Sequence, residues 1–543
     1  MATEGGGVRG PRRAGRPRRG ASAGADPGGP VYCPEREGPM QAKGADRERV
    51  LEVLHDVTRE AVESASEATG VAAADVYGTG SFYTLLDGER RRTRVCQGLS
   101  CQLAGAVDCA ERLRAEGHEV EWVSCLGQCD RAPAALDPEL EVLAPRERGA
   151  VLPDDPELPV NLGGTDRPPG EALARARALG PEGVLEAIEA SGLQGRGGAG
   201  FPAAIKWRAV RAQADPERYV VCNADEAEPG TFKDREVMLR RPFLLLEGLA
   251  IAAHTVGASE VYIYIRGEFR AERRSLEAAL AAAGEALAGL RFHLVSGHGA
   301  YICGEETALL ESMEGKRGMP RLKPPFPTER GFRGKPTLIN NVETLACVPS
   351  VVLRGGEWFR ALGRTEPGTK LYCVSGHVAR PGVYELPLGV CLDELVEAAG
   401  GYVGTPQAFS PGGASSGFLP MSERRRPLDF RGLAETGSML GSAGVVVLNE
   451  SVDLAAAARW QAVFFEDESC GQCAPCRIGA RVLRRALDRY LADGDPAALD
   501  AVDDVAWEMR EGSICGLGMT AALPLTSARE HFPSAFGRRG PDA

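Results

Sequence analysis

The sequence predicts a multidomain α/β protein, and three observations lead to this prediction. The chain has 543 residues, enough for roughly three or four domains of about 100–200 residues each. Between residues 166 and 365, apolar strand-like segments alternate with amphipathic helical segments, a pattern typical of a parallel sheet with right-handed crossovers. Two groups of four cysteines flank this region, one on each side.

The composition excludes several classes of function. A net charge of −12 and a pI near 5.4 argue against nucleic acid as a partner. The sequence has no run of about 18 apolar residues, so no membrane insertion is expected. Fifteen cysteines in a chain without an apolar signal segment indicate a reducing, cytoplasmic compartment, where cysteines bind metals or clusters more often than they form disulfides.

Residues 1–44 are expected to form a disordered tail. They are mainly Gly, Pro, Arg and Ala, so they cannot bury enough apolar surface to offset chain entropy. An organelle-targeting segment is the alternative, but the density of Pro and Gly disfavours the amphipathic helix it requires. Met40, which opens the first stretch with helical periodicity, is an alternative start.

The first cysteine group follows two short strand-like segments. Residues 93–95 precede a C-x4-C pair and residues 119–123 precede a C-x3-C pair. The four cysteines are Cys96, Cys101, Cys125 and Cys129. Thiolates that follow neighbouring strands meet at one edge of a sheet, which fits a four-cysteine [2Fe–2S] cluster. Zinc is the alternative, although it more often uses C-x2-C spacing. Cys109, in the helical segment between the pairs, is better explained as a buried apolar residue.

The segment 195–235 carries the strongest signal for a ligand. Its first part, GRGGAGFPAAIKW, places four glycines within six positions, so the backbone can approach a ligand and direct N–H groups at phosphate oxygens. A flexible turn is the alternative for this part alone. A buried strand then ends in a cluster of amide and acidic side chains, Asn223, Asp225, Glu226 and Glu228. Open α/β sheets bind ligands at that end of a strand, and these groups suit a flavin ring and a nicotinamide carboxamide.

The second cysteine group predicts a [4Fe–4S] cluster. Cys470, Cys473 and Cys476 form a C-x2-C-x2-C run at a helix start, and Cys515 follows at a distance. Three closely spaced thiolates and one remote thiolate can hold the four corners of a cube. Zinc is again the alternative.

The pattern of residues 369–448 predicts short strands joined by Gly and Pro turns, and this region contains no catalytic constellation.

Two sets of motifs resemble known families. The strings FYTLL, VCQGLSCQLAGA and VSCLGQCDRAP resemble the thioredoxin-like [2Fe–2S] subunit of respiratory complex I. The segment 195–235, the string HGAYICGEET, the string LINNVETLA and the second cysteine group resemble the NADH-binding flavin subunit of complex I and its relatives in NAD-linked hydrogenases and formate dehydrogenases.

The resemblance implies a thioredoxin-like [2Fe–2S] domain, a Rossmann-like FMN/NADH domain, a small β-grasp domain and a C-terminal helical [4Fe–4S] bundle. The expected boundaries are 1–44 for the tail, 45–130 for a helical segment with the [2Fe–2S] domain, 131–165 for a linker, 166–365 for the FMN/NADH domain, 366–448 for the β-grasp domain and 449–543 for the [4Fe–4S] domain.

The resemblance also implies site residues. FMN is expected to contact Gly195, Arg196, Gly197, Gly198, Lys206, Asn223, Asp225, Glu226, Tyr301, Gly304, Glu305, Asn340, Asn341 and Thr344. NADH is expected to contact Phe201, Glu228, Glu306, Lys323 and Phe326, with Glu228 as the catalytic residue. Ala209 departs from the aromatic residue that complex I members commonly carry three positions after the lysine that matches Lys206.

The function implied is that of a diaphorase, which exchanges a hydride between NAD(H) and FMN and single electrons with the clusters of a partner subunit. Fused [2Fe–2S] and flavin modules favour a molybdenum- or tungsten-containing, soluble NAD-dependent formate dehydrogenase as the assembly. An NAD-reducing hydrogenase and complex I are the alternatives. A non-enzymatic cluster scaffold has no use for the glycine loop, and a flavin enzyme with its own organic substrate needs a base, for which His298 is the nearest candidate.

Overall fold

The computed structural model describes residues 46–86, 92–151 and 154–538. The predicted tail lies outside these ranges. Three short helices come first: α1 Val50–Val53, α2 Arg59–Thr69 and α3 Ala73–Gly80. The helical segment predicted at the start of the 45–130 region is divided, because the chain leaves the helix between α1 and α2. Thr58 caps α2, because its hydroxyl accepts a hydrogen bond from the Ala61 N–H, and an N-cap residue leaves the helical conformation.

The first cysteine group lies on a four-stranded sheet. Its elements are β1 Thr93–Cys96, α4 Leu99–Leu103, α5 Ala106–Ala115, β2 Val120–Val123, β3 Ala135–Leu136 and β4 Val142–Leu143. The strand order is β2-β1-β3-β4, with β1 and β2 parallel and β3 antiparallel to β1. The carboxyl ends of β1 and β2 therefore lie side by side, as the positions of the cysteine pairs predict.

The segment 131–165, predicted as a linker, pairs with sheets on both sides. It supplies β3 and β4 to the first sheet, and β5 Ala150–Val151 runs parallel to β11 Gly382–Pro387 of a later sheet. Its prolines interrupt these strands without preventing pairing, because each strand is only two residues long and lies between the prolines.

The central region is a parallel sheet covered by helices. Its strands are β6 Tyr219–Ala224, β7 Glu260–Ile265, β8 Arg291–Ser296 and β9 Thr337–Asn341. Its helices are α6 Glu171–Ser191, α7 Ala203–Arg211, α8 Lys233–Arg240, α9 Pro242–Val256, α10 Arg270–Ala283, α11 Glu306–Met313, α12 Pro327–Arg330, α13 Val342–Arg354 and α14 Gly356–Ala361. The predicted strand–helix alternation is confirmed. Helix α6 has a kink, since Gly180 adopts a φ of 69° before Pro181.

The strand order β8-β7-β6-β9 determines where a ligand can bind. From β6 the chain moves outward to β7 and β8, then returns to the other side of β6 to form β9. Connections on opposite sides of a parallel sheet leave a crevice at the carboxyl ends of the two strands where the direction changes. In this sheet those strands are β6 and β9.

A mixed six-stranded sheet and a helical region complete the chain. The sheet has the order β13-β12-β14-β10-β11-β5. Its remaining elements are β10 Thr369–Gly376, α15 Leu392–Ala398, β12 Pro406–Ser410, β13 Leu419–Pro420, α16 Phe430–Ala434 and β14 Gly444–Asn449. The helices that follow are α17 Leu454–Asp467, α18 Ala474–Asp493, α19 Val502–Gly512, α20 Gly516–Thr520 and α21 Leu523–His531. Throughout the described residues, no helix combines the length and the apolar character needed to cross a membrane.

Candidate functional site

A cavity of about 370 Å³ lies at the carboxyl ends of β6 and β9, where the strand order reverses. Ten of the predicted site residues line it: Gly197, Gly198, Asn223, Asp225, Glu226, Glu228, Tyr301, Gly304, Glu305 and Asn341. They come from the glycine loop, from the chain after β6, from a 3-10 turn at Tyr301–Gly304 and from the end of β9. The topology therefore brings together side chains that are more than 100 residues apart in the sequence.

The glycine loop is a closed hairpin that requires glycine. Gln194 and Pro202 form an antiparallel bridge, and the Gly195 N–H donates to the Phe201 carbonyl at 2.8 Å. A Cβ atom at Gly197 would lie 3.0 Å from the Asn341 Cβ, so a side chain there would push the loop off β9. Gly198 has a φ of +146°, and a Cβ atom there would meet only the Gly441 backbone, at 3.9 Å. The glycine loop thus lies close to both β9 and the cavity, as a loop that binds phosphate must. A flexible turn would not require this close packing.

The three acidic residues after β6 have different environments. Glu226 accepts hydrogen bonds from the backbone N–H groups of Asp234 at 2.9 Å and Arg235 at 3.0 Å, so its carboxylate is occupied at the start of α8. Glu228 accepts from the Tyr301 hydroxyl and from the Ser415 N–H. Burial raises the pKa of Glu226 to about 7 and also raises the pKa of Glu228.

Asp225 is the acidic residue that is free to accept a ligand's hydrogen bond. Its Oδ2 atom is buried and has no partner among the described residues. Burial raises the pKa of Asp225 to about 8. Asn223, next to it, donates from Nδ2 to the Gly304 carbonyl at 2.8 Å, which ties β6 to the 3-10 turn. A buried, unpaired carboxyl oxygen in a cavity wall is well placed for an N–H donor such as that of a flavin ring.

Five predicted flavin contacts do not line the cavity, and apart from Lys206 they form hydrogen bonds in the protein behind its wall. Gly195 closes the glycine hairpin, and the Thr344 hydroxyl accepts from the Arg196 N–H at 2.8 Å. The Arg196 side chain is buried and donates to the Pro367 carbonyl at 2.9 Å. Asn340 Oδ1 accepts from Trp207 Nε1 at 2.9 Å. The Thr344 and Asn340 side chains have partners within the protein, whereas Arg196 Nε and Nη1 are buried without a partner among the described residues. Direct contact with a ligand remains a prediction for all four residues.

Charged pairs join Lys206, predicted to contact FMN, with Glu306 and Lys323, predicted to contact NADH. Lys206 Nζ is 3.1 Å from Glu306 Oε2, and Lys323 Nζ is 2.8 Å from Glu305 Oε1. Glu305 also caps α11 by accepting from the N–H groups of Thr307 and Ala308. Two aromatic side chains are half exposed, Phe201 at 49% and Phe326 at 50%. Exposed aromatic faces are available for stacking with a planar ligand.

The second cysteine group adjoins the cavity. Cys473 and Cys515 are the N-cap residues of α18 and α20, and Cys476 lies in the first turn of α18. Two helix N-termini therefore face the cysteines, and their partial positive charge suits an anionic cluster. Gly516 and Leu517, the two residues after Cys515, line the cavity. Burial and the neighbouring thiols raise the pKa of Cys476 to about 12, so this thiol is expected to lose its proton only when a cation binds.

The first cysteine group also converges, and its four side chains are buried. The Cys96 thiol lies within hydrogen-bonding reach of those of Cys101 and Cys125, and Cys125 is within reach of Cys129. Hydrogen bonds among these thiols raise the pKa values of Cys96 and Cys129 and lower that of Cys125. Four thiols gathered at one sheet edge match the donor set of a [2Fe–2S] cluster. Cys109 packs with Val95 and Leu113, apart from them.

Sequence reasoning missed several residues of the cavity wall. Lys233 and Asp234 follow the acidic cluster and line the cavity, with Lys233 Nζ 2.7 Å from Asp234 Oδ1. Ser415, Gly441 and Ser442 belong to loops of the six-stranded sheet. The Gly- and Ser-rich run from 412 to 417 is the one local signal that could have indicated Ser415. His298 does not line this cavity, and burial lowers its pKa to about 4, which argues against its use as a base.

Comparison with known families is consistent with this geometry. Four family models match the chain: the Nuo51 FMN-binding domain at residues 188–350, the NADH-ubiquinone oxidoreductase-F iron–sulfur binding region at 456–539, the SLBB domain at 371–419 and the thioredoxin-like [2Fe–2S] ferredoxin at 44–138. They confirm the predicted fold class and favour FMN, a [4Fe–4S] cluster and a [2Fe–2S] cluster over the zinc alternatives.

Individual relatives extend the comparison. The F 2 subunit of NADH-quinone oxidoreductase from Rhizobium meliloti (strain 1021) is 46% identical over 406 residues, covering 70% of this chain and 96% of the relative. The F subunit of the same enzyme from Mycobacterium tuberculosis (strain ATCC 25618 / H37Rv) is 44% identical, covering 67% and 86%. A chain of an NAD⁺-reducing [NiFe]-hydrogenase in the H₂-reduced state superposes with a TM-score of 0.84 at 33% identity, covering 92% of this chain and 93% of that one.

The fold and the site therefore define an oxidoreductase of the NADH dehydrogenase type that combines a flavin domain with two iron–sulfur domains. Within that class, the chain belongs to the family of the NADH-quinone oxidoreductase F subunits, the flavin subunits of complex I and their relatives.

Proposed function

We propose that this chain is a diaphorase module that exchanges a hydride between NAD(H) and FMN, and single electrons between FMN and the iron–sulfur clusters of a partner subunit. The observation that carries the proposal is the wall shared by the cavity and the second cysteine group: Gly516 and Leu517 line the cavity directly after Cys515. FMN supplies the conversion between two-electron hydride chemistry and one-electron transfer. The protein supplies binding, orientation and exclusion of water.

The side chains of the cavity have separate roles in this proposal. Gly197 and Gly198 direct backbone N–H groups at the phosphate, and Asp225 Oδ2 accepts from the ring. Glu228, held by the Tyr301 hydroxyl and the Ser415 N–H, orients the nicotinamide carboxamide beside the ring. The remaining predicted nucleotide contacts, Glu306, Lys323, Phe201 and Phe326, bind the rest of the dinucleotide outside the cavity. Lys206, predicted to contact FMN, pairs with Glu306. The hydrogen bonds from Tyr301 and Ser415 hold the Glu228 carboxylate in one orientation. A fixed carboxylate favours one position of the nicotinamide during hydride transfer.

The partner proposed from the sequence is a molybdenum- or tungsten-containing formate dehydrogenase subunit with clusters of its own. The reason is the fusion of the [2Fe–2S] and flavin domains in one chain. A hydrogenase is the second candidate, and one observation favours it: the chain of the NAD⁺-reducing [NiFe]-hydrogenase covers 92% of this chain, whereas the Rhizobium relative covers 70%.

The test has two steps. The purified full chain should contain FMN and reduce ferricyanide with NADH, and a protein that assembles its clusters but binds no FMN would refute the diaphorase proposal. Affinity purification from native cells with metal analysis then identifies the partner. A pterin cofactor with molybdenum or tungsten and formate:NAD activity would support the first candidate. Nickel with hydrogen:NAD activity would support the second, and recovery with a membrane-bound quinone-reducing assembly would overturn both.

A further inference from the structure

One buried arginine touches the backbone of both redox sites. Arg266 follows β7, and its side chain is 7% exposed. Nη1 donates to the Glu226 carbonyl at 3.0 Å, and Nη2 donates to the Cys125 carbonyl. Glu226 belongs to the wall of the FMN cavity, and Cys125 is a predicted ligand of the [2Fe–2S] cluster. A single guanidinium group therefore lies between the two sites.

The loop that carries Cys125 and Cys129 is held firmly at this position. Gly127 has a φ of +64°, and a Cβ atom there would lie 3.0 Å from the Phe269 ring, so only glycine allows the loop to come so close. The fully buried Arg235 donates to the Gly127 carbonyl at 2.9 Å and pairs with Asp130 at 2.8 Å. The distance between Arg266 and the cluster cysteines is consequently set by packing and does not depend on a mobile surface loop.

Glu268 is the carboxylate that pairs directly with Arg266, and Asp225 and Glu468 line the same cavity as this pair. Arg266 Nη2 is 3.1 Å from Glu268 Oε1, and Glu268 Oε2 is buried without a hydrogen-bond partner among the described residues. Both side chains line a second cavity, of about 280 Å³, which shares Asp225, Ala227 and Tyr301 with the FMN cavity. Charges in such a poorly solvated position act over longer distances than charges at the surface.

We propose that Arg266 sets the reduction potential of the [2Fe–2S] cluster and that Glu268 partly offsets it. Reduction adds one electron, and hence one negative charge, to the cluster. A fixed cation beside Cys125 stabilises that charge, and the paired carboxylate reduces the effect. Arg266 is thus a positioning and tuning residue for electron distribution between the flavin and this cluster. The proposal rests on the proposed function only in treating the two sites as one electron-transfer module.

The experiment is a redox titration of the full chain, loaded with FMN and both clusters and followed by EPR. Arg266→Gln should lower the midpoint potential of the [2Fe–2S] cluster by the equivalent of at least a tenfold change in its one-electron equilibrium constant, which is 59 mV. Arg266→Lys should lower it less, because the charge is kept. Glu268→Gln should raise it. The midpoint of the [4Fe–4S] cluster should stay unchanged in all three variants.

The matched control is Arg274→Gln. Arg274 also reaches from the flavin domain to the [2Fe–2S] domain, where it pairs with Glu141 at 3.0 Å, but both side chains are exposed. It should leave both midpoints unchanged. The proposal would be overturned if the midpoint potential of the [2Fe–2S] cluster stayed unchanged in Arg266→Gln and Glu268→Gln, or if it moved in the same direction in both variants. If Arg266→Gln fails to assemble the cluster, Glu268→Gln decides by itself. Absence of NADH:ferricyanide activity in the wild type would instead refute the proposed function.

Discussion

Asp225, Glu226 and Glu228 lie within four positions of one another, yet the structure gives their carboxyl groups three different surroundings. Glu226 caps α8, Glu228 is oriented by Tyr301 and Ser415, and Asp225 keeps a buried oxygen without a partner among the described residues. The sequence predicts that these three acidic residues lie at the end of a strand. The individual roles depend on groups from distant elements, so they could not be assigned from the sequence.

The unpaired oxygen of Asp225 predicts that the FMN-free protein loses stability as the pH rises. Its pKa is about 8 in the fold against an ordinary 3.8, so the folded state binds its proton more tightly than the unfolded state. The stability of the wild type should therefore fall, relative to Asp225→Asn, as the pH rises from about 4 to about 8, by at least about 1 kcal/mol. Thermal unfolding of FMN-free proteins across this range measures the difference. The exposed Asp500→Asn is the control, and parallel curves for wild type and Asp225→Asn would contradict the prediction.

Glu306 is predicted to discriminate against NADPH. By family resemblance it lies near the adenosine ribose, where a carboxylate accepts from a 2′-hydroxyl but repels a 2′-phosphate. Its pairing with Lys206 at 3.1 Å adds to this expectation, because Glu306→Gln frees a cation that can attract the phosphate. The kcat/KM ratio of NADPH to NADH should rise. A change within about twofold, roughly 0.4 kcal/mol, would show that the role is wrong. Glu182→Gln, whose partner Arg211 lies on α7, is the control.

Among the secondary-structure elements, α20 connects the cavity to the second cluster. Cys515 is the residue before this helix, and Gly516, Leu517 and Thr520 form part of the cavity wall. A helix of five residues has no apolar periodicity that a sequence can reveal, so its contact with the cavity became visible only in the structure. The longer elements α9 and β6 are visible in the sequence because they are runs of apolar residues, and the fold buries these runs on almost all sides.

This arrangement predicts the order of electron transfer. Cys473→Ala removes a ligand at the N-cap of α18 and should abolish the EPR signal of the [4Fe–4S] cluster and electron transfer to the physiological partner. NADH:ferricyanide activity should remain largely intact, since ferricyanide can take electrons at the flavin. Cys109→Ala, in which the cysteine is buried apart from both cluster groups, should leave the cluster signals unchanged. Equal loss of both activities in Cys473→Ala that still holds FMN would contradict this order.

Across the molecule, one cavity is built from three regions of the chain. The parallel sheet supplies the floor, loops of the six-stranded sheet supply Ser415 and Gly441, and the C-terminal helices supply Gly516 and Leu517. The [2Fe–2S] domain is joined to this assembly by the buried pair of Arg235 and Asp130, in which neither side chain is more than 2% exposed. Burial acts to raise the pKa of Asp130, but the charge of Arg235 outweighs it and holds the pKa below its usual value.

A substitution that breaks the buried pair of Arg235 and Asp130 is predicted to lower the stability of the protein strongly. Asp130→Asn leaves the Arg235 guanidinium without one of its carboxylates and should lower the free energy of unfolding by about 3–5 kcal/mol. Glu141→Gln is the matched control: it breaks the exposed pair with Arg274 between the same two domains and should cost no more than about 1 kcal/mol. Chemical denaturation of both variants tests this. Equal losses would show that burial of the Asp130 pair adds nothing.

The four domain types were predicted from the resemblance to known families. Local patterns in the sequence were sufficient to predict the two sets of cluster cysteines, the glycine loop and the acidic cluster after β6. Each of these depends on short spacings or on the periodicity of apolar residues, which a single sequence displays. Three features emerged only from the folded chain: which carboxyl group faces the cavity, the strands that residues 131–165 contribute to two sheets, and the hold of Arg235 and Arg266 on the loop from 125 to 130. Apart from the pairing of β3 with β1 and β4, these features join residues more than 100 positions apart, and such contacts follow from packing of the whole chain, which no local pattern encodes.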